Sequence, residues 1–447
     1  MKNFFDDKVL LEGNAALELY DRVKNLPIID YHCHLNPREV AEDKKFSDIG
    51  ELWLAGDHYK WRAMRLCGVP EHSITSEQKG HAADRGWKQK FFSYAEIMPK
   101  LAGNPLYYFS HFELKKVFGV NKAISADSAP EIHKIANQKL KELSVRALLE
   151  QFKVEYIATT DDPADELTHH GNYGNFTLAP TFRPDAVFSF EKDEFKKLGN
   201  AAGIKIKELD DLKYALLKRL DYFASKGCRI SDHGFEDFPD TYLDDKNAKI
   251  AFHKSPENVR GHLMLWLLRE YNKRGMTAQL HFSVTRNNNS EMYQKVGPDA
   301  GFDLMSGECN YENLITLLDL LPDNERPPII LYSLNPNASA RLANISGAFR
   351  NVHIGAAWWF NDTLEGIRRH LSIVAEYGAL GTNLGIPTDS RSFLSYVRVD
   401  FFRRVLCNYI GQKVELGEYA AADAAKLAED ICYHNIKRLL FGNEKKK

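Results

Sequence analysis

From about residue 140 onward the sequence repeats one unit, a helical stretch followed by a short apolar run with a polar end. "LKELSVRALLEQF" sets Leu140, Leu143, Leu148, Leu149 and Phe152 at helical spacing, and "VEYIATTDDP" follows as a strand. The unit recurs as "GHLMLWLLREYNKRG" before "MTAQLHFS", "YENLITLLDLLP" before "PIILYSLN", "ARLANISGAFR" before "NVHIGAAWW", and "TLEGIRRHLSIVAEYG" before "TNLGIPTDSR". Strands separated by helices of this length pair in parallel, because the helix carries the chain back to the same end of the sheet before the next strand begins. The strand candidates are IIDYHCH, EYIATTDD, LAPTFRPD, CRISDHG, TAQLHFS, IILYSLN, VHIGAAWW and NLGIPTDS. This alternation predicts an α/β chain folded as a (β/α)₈ TIM barrel, with functional groups at the C-terminal strand ends.

One interval breaks the rhythm. Residues 39–137 hold short helical and aromatic pieces such as "GELWLAGDHYKWRAMRLCGV" and "KQKFFSYAEIMPKLAGNPLYYFSHFELKKVFG". They read as a mainly helical insertion after the first strand, placed to act as a lid over the barrel mouth. The expected organisation is then an N-terminal helix and first strand (1–38), the helical insertion (39–137), the rest of the barrel (138–395) and closing helices (396–447) that end in a solvated "NEKKK" tail.

Composition narrows the partners. Of 447 residues, 44% are hydrophobic and 27% charged, and the net charge is only -2, so no bulk field favours nucleic acid or a membrane surface. The first residues are acidic where a signal peptide is basic, and no apolar run reaches membrane-spanning length. The six cysteines are scattered without a C-x-x-C, which suits reduced packing residues in a cytoplasmic protein.

The stretch "IIDYHCHLNP" places His32 and His34 two residues apart, on one face of a strand, with Cys33 on the other. Two imidazoles there can grip one cation, or can simply be a half-buried pair capping a strand. In a barrel, the fifth strand adds His281 and the eighth adds Asp389 at the same rim. Neutral imidazoles with a carboxylate suit one divalent transition metal, Zn²⁺ first, with Mn²⁺, Fe²⁺ or Co²⁺ as alternatives.

His-x-His on the first strand, His on the fifth and Asp on the eighth resembles the ligand scheme of the amidohydrolase superfamily. Within it the chain is similar to the uronate isomerase (glucuronate isomerase) family through "DYHCHLNP", "GDHYKWRAMRLCGV", "ATTDDP", "TFRPD", "SDHG", "LHFSVTRNNN", "AAWWFND" and "TDSRSF". The resemblance implies a distorted barrel of amidohydrolase type. It also implies aldose–ketose isomerisation of D-glucuronate to D-fructuronate and of D-galacturonate to D-tagaturonate. The fourth strand has no lysine to bridge a second metal and the sixth no histidine, so a single-metal site is expected, with His281 a ligand or a substrate contact.

Moving a proton from C2 to C1 needs a base, an acid at the C1 oxygen and stabilisation of the enediol. Asp389 or metal-activated solvent is the expected base. The resemblance assigns Tyr59 to proton transfer and His58 to substrate oxygens; the residues alone would place both on a helix face. Arg183 and Arg391, with Arg286 behind them, are candidate carboxylate clamps, each of which could instead be an ion pair with a rim aspartate. Trp358, with Trp359 and Phe360, could line the mouth. Asp161 and Asp162 are expected to cap a following helix or to orient the metal-binding groups, and His233 to support them. Expected partners are thus a uronate and, optionally, further copies of the chain. A mononuclear metal-dependent hydrolase or decarboxylase would use the same ligands, and a non-catalytic sugar-acid-binding barrel would not need them.

Overall fold

A computed structural model of the chain describes residues 4–75, 86–307 and 309–442. Its strands are β1 (Ile28–Asp30), β2 (Val154–Ala158), β3 (Gly171–Asn172), β4 (Thr177–Ala179), β5 (Ile230–Gly234), β6 (Thr277–Phe282), β7 (Val284–Thr285), β8 (Leu304–Met305), β9 (Ile329–Ser333) and β10 (Val352–Ile354). One sheet has the order β1-β2-β4-β3 and a second β10-β9-β6-β5. All their ladders are parallel except that between β3 and β4. Parallel bridges from Asp161 to Phe182 and from Phe182 to Ser231 join the two sheets. Every residue of β6 is buried, as expected for a parallel strand covered on both faces.

The α/β reading with parallel strands holds, and the strand candidates beginning near residues 28, 155, 178, 228, 277, 329 and 352 all contain a strand. The eighth does not. Residues 383–390 form no strand but are tied to the end of the first strand by the Asp389 N–H donating to the His32 carbonyl (3.0 Å) and the His34 N–H donating to the Ser390 carbonyl (2.9 Å). Gly385 at φ +73° and Asp389 at φ +45° turn the chain out of strand geometry, and Pro387 has no N–H to give a ladder. The short strands β3, β7 and β8 are too brief to leave a period in the sequence.

Between β1 and β2 the described chain is helical: Pro37–Ala41, Ile49–Leu54, His58–Leu66, Gly86–Ile97, Pro105–Phe118, Ala129–Leu140 and Val145–Gln151. The continuous helix expected across residues 140–152 is broken. It stops at Leu140 and restarts where the Ser144 hydroxyl accepts from the Ala147 N–H, a serine N-cap inside an otherwise apolar period. Residues 76–85 of this stretch and the basic tail at 443–447 lie outside the described residues. The helix Val397–Glu415 packs on Gly13–Val23 so closely that a Cβ at Gly411 would lie 2.5 Å from the Ala16 nitrogen. Among the described residues no helix is long and apolar enough to cross a membrane.

Candidate active site

β1 stops at Asp30, so His32 and His34 stand just beyond the ladder. Their backbone is still held, by the Cys33 N–H on Ala158 to one side and by the 389–390 segment on the other. The two rings stand 5.2 Å apart, nearly perpendicular, and their Nε2 atoms converge on Oδ1 of Asp389 at 3.2 and 3.3 Å. Oδ2 of the same carboxylate accepts from the Tyr59 hydroxyl (3.1 Å) and from Trp358 Nε1 (2.8 Å). Burial alone would raise the Asp389 pKa, but the two histidines hold it well below the usual carboxylate range. Asp389 and its neighbour in the site, Trp359 (φ +53°), both occupy the left-handed backbone region, a strain the surrounding contacts must support.

A second cluster shares His32. Asp232, fully buried on β5, lies 2.7 Å from Nδ1 of His281 on β6 and 3.9 Å from Nδ1 of His32. Arg183 places Nη1 3.0 Å from the same carboxylate and Nε 2.8 Å from Asp185. Burial opposes ionisation of Asp232, yet Arg183, His281 and His32 together hold its pKa well below normal. Gly234 leaves room for this pair, since a Cβ there would sit 2.8 Å from Arg183 Nη2.

The groups His32–His34–Asp389 and His32–Asp232–His281 each bring their donor atoms within 4.8 Å of one another. The donor set fits a divalent ion. With its Nδ1 turned to Asp232, His281 presents a buried Nε2 that has no hydrogen-bond partner, the arrangement by which a carboxylate orients a ligating imidazole. Burial lowers the His281 and His34 pKa values, keeping lone pairs available at both rings, while Asp232 and Asp389 outweigh burial and raise that of His32.

The helix His58–Leu66 delivers the next two side chains. Asp57 is its N-cap, accepting from the Tyr59 and Lys60 N–H groups, and its other oxygen pairs with the buried Lys60 ammonium at 2.6 Å. Such a cap contributes about 0.5–2 kcal/mol and fixes the angle at which His58 and Tyr59 enter the site. Their rings stack 4.7 Å apart, with Trp359 edge-on to His58 at 5.6 Å. Burial drives the His58 pKa down to about 4, so its ring is neutral near pH 7. Burial and the Asp389 charge push that of Tyr59 well up. His32, His34, His58, His281 and Asp389 open onto a cavity of about 370 Å³ that also reaches Arg183, Arg286 and Arg391, while Tyr59 lies behind Asp389 and Trp358 in a small adjoining pocket.

The family model described as glucuronate isomerase matches residues 1–440. The chain belongs to the glucuronate isomerase family. It is 41% identical to the uronate isomerase of Shouchella clausii, with 98% of each chain covered. It is 40% identical to that of Haemophilus influenzae strain PittGG, over 98% of this chain and 99% of the relative. The crystal structure of the uronate isomerase from Thermotoga maritima superposes with a TM-score of 0.93 at 34% identity, covering 98% of this chain and 100% of that one. Glucuronate isomerase from Caulobacter crescentus gives 0.92 at 26%, over 97% and 96%.

In this member of the glucuronate isomerase family, the residues singled out in the sequence meet in one place, from His32 and His34 through His58, Tyr59 and His281 to Asp389. The arginines are more committed than a free clamp would be. Arg183 is tied to Asp232 and Asp185, Arg286 to Asp303 at 3.0 Å, and Arg391 to Asp299 at 3.0 Å. Trp358 lines the cavity, but its N–H is turned onto Asp389. Asp161 and Asp162 cap no helix. Asp161 accepts from Thr159 and the Thr181 N–H, and Asp162 closes a turn on Ala164. His233 sets Nε2 3.1 Å from the Tyr271 hydroxyl and Nδ1 3.8 Å from Asp185, the carboxylate that pairs with Arg183. The residue that sequence reasoning underrated is Asp232. It lies in the strand candidate "CRISDHG", but only the register of β5 against β6 shows which histidine it holds.

Proposed function

We propose that the cavity above His32, His34 and Asp389 isomerises hexuronates between aldose and ketose by moving one proton from C2 to C1. The chain is a uronate isomerase by family. The observation that carries it is the single carboxylate of Asp389, whose two oxygens face different partners: histidines on one side and the Tyr59 hydroxyl on the other. His32, His34 and Asp389, with His281 presented by Asp232, would hold one divalent ion, zinc in the first instance. Bound there, the ion would polarise substrate hydroxyl and carbonyl oxygens and so acidify the C2 hydrogen.

The rest falls to side chains. Asp389, held ionised, accepts the C2 proton and leaves an enediolate, in which the proton of the C2 hydroxyl passes to the C1 oxygen. Tyr59, hydrogen-bonded to that carboxylate, relays the proton held by Asp389 to C1 as the C2 oxygen becomes the ketone. Neutral His58 hydrogen-bonds to substrate oxygens without adding a competing charge. Arg391, whose ion pair lies at the open rim, is the first choice for the uronate carboxylate, with Arg286 beside it and Trp358 and Trp359 forming a wall. Arg183, bound to buried Asp232, contributes positive potential to the same pocket.

The two mainly parallel sheets and the 383–390 segment then make one distorted (β/α)₈ barrel of amidohydrolase type. Of the described residues, those up to 38 and between 138 and 395 form it, those between 39 and 137 fold over its mouth as a lid, and those from 396 on close it. The bridges at Phe182 and the backbone bonds between His32 and Asp389 support that closure. The test is incubation of purified protein with D-glucuronate and with D-galacturonate, followed by detection of D-fructuronate and D-tagaturonate. Failure to form either ketose in metal-loaded protein removes the reading.

A further inference from the structure

Arg398 is the second residue of the helix Val397–Glu415 and is only 3% exposed. A cation in the first turn opposes the helix macrodipole, and burying it adds a desolvation cost, so its contacts must compensate for both. Nη1 donates to the carbonyl of Thr388, the residue before Asp389, at 3.0 Å. The guanidinium carbon lies 5.0 Å from the centroid of the Tyr59 ring and 5.0 Å from that of Phe109, which comes from the helix Pro105–Phe118. Thr388 is gripped from its other side by Asp30, which accepts from the Thr388 N–H (2.8 Å) and hydroxyl (2.6 Å). Asp57, Glu113 and Asp362, all buried, supply the opposing charge around Arg398.

We propose that Arg398 is a positioning residue for the isomerisation: its guanidinium links the Thr388 carbonyl to the face of the Tyr59 ring and so sets the Tyr59 hydroxyl against Asp389. The planar cation suits both tasks at once, since its edge donates hydrogen bonds while its face lies over an aromatic ring. A lysine would keep the charge but not span the two contacts. This inference rests on the reading of Tyr59 as the proton relay.

The experiment is a double-mutant cycle with Arg398→Lys and Tyr59→Phe in metal-loaded enzyme, reading kcat, KM and Tm for each variant. In the parent background Arg398→Lys should lower kcat about tenfold while KM moves less than about twofold, and in the Tyr59→Phe background it should change kcat by less than about twofold. Tm should fall by a similar amount in both backgrounds, because the packing lost is the same. An equal loss of kcat in both backgrounds overturns the positioning role and leaves Tyr59 as relay untouched. Unchanged kcat in Tyr59→Phe alone overturns the relay and this inference with it. If Arg398→Lys does not fold, Phe109→Leu replaces it in the cycle. It removes one of the two rings that the guanidinium packs against and should show the same dependence on Tyr59.

Discussion

The phenol of Tyr59 donates a hydrogen bond of 3.1 Å to Oδ2 of Asp389, 330 positions away in the chain, while Oδ1 of that carboxylate faces His32 and His34. A hydroxyl placed there can move a proton to and from a carboxylate that is itself held ionised. Tyr59→Phe should therefore turn over roughly 10²- to 10⁴-fold more slowly with its fold intact. Steady-state kinetics with a thermal melt check this. A variant that keeps full turnover would limit Tyr59 to packing against Arg398.

Metal dependence should follow the two clusters that share His32. Elemental analysis is expected to find one divalent ion per chain, a chelator should abolish activity, and re-addition should restore it. His32→Ala should lose the ion and activity together. Asp232→Asn should weaken metal affinity by about 10- to 100-fold, because the imidazole of His281 loses the carboxylate that orients it. Two ions per chain in a fully active sample would contradict the single site.

The arginines should separate by readout. Arg391 meets only Asp299 among its described ion-pair partners, at the rim, so Arg391→Lys should raise KM for uronates several-fold without unfolding the protein. Arg183→Ala leaves Asp232 buried without its guanidinium and should cost about 3–5 kcal/mol of stability. Michaelis constants and denaturant midpoints measured on both variants test the assignment. A lysine at 391 that binds uronate as well as the parent moves the clamp to another arginine.

His370, on the helix Leu364–Tyr377, is buried, and that burial holds its pKa down to about 4 despite a hydrogen bond to Gly355. A histidine depressed on folding stabilises the native state fully above its unfolded pKa of about 6.5, and the contribution is lost as pH falls from there toward 4. A shift of that size corresponds to about 3 kcal/mol. Urea midpoints of the parent should drop over that window, and His370→Leu should drop less steeply. Parallel pH profiles for the two proteins would show that other groups carry the acid limb.

Much of this protein follows from its sequence alone. The helix–strand rhythm after residue 140 dictates parallel sheets, because period and element length are local properties that each segment carries with it. The strand-end polar groups, His32 and His34 on the first run and Asp389 on the last, follow from the same reading. Three things depend on tertiary structure. Asp232 pairs in register with Gln279 on β6, so its side chain reaches diagonally to His281 on the same face, and register is a relation between two strands that neither one encodes. The segment around Asp389 leaves strand geometry at Gly385 and Pro387, which the run "NLGIP" does contain, and again at Asp389, whose positive φ goes with backbone bonds to the 32–34 segment that only the folded chain supplies. Tyr59, finally, reads as one more helix-face aromatic until the helices after β1 dock. Only then do the Asp57 cap beneath it and the Arg398 guanidinium behind it turn its hydroxyl onto a carboxylate from the other end of the chain.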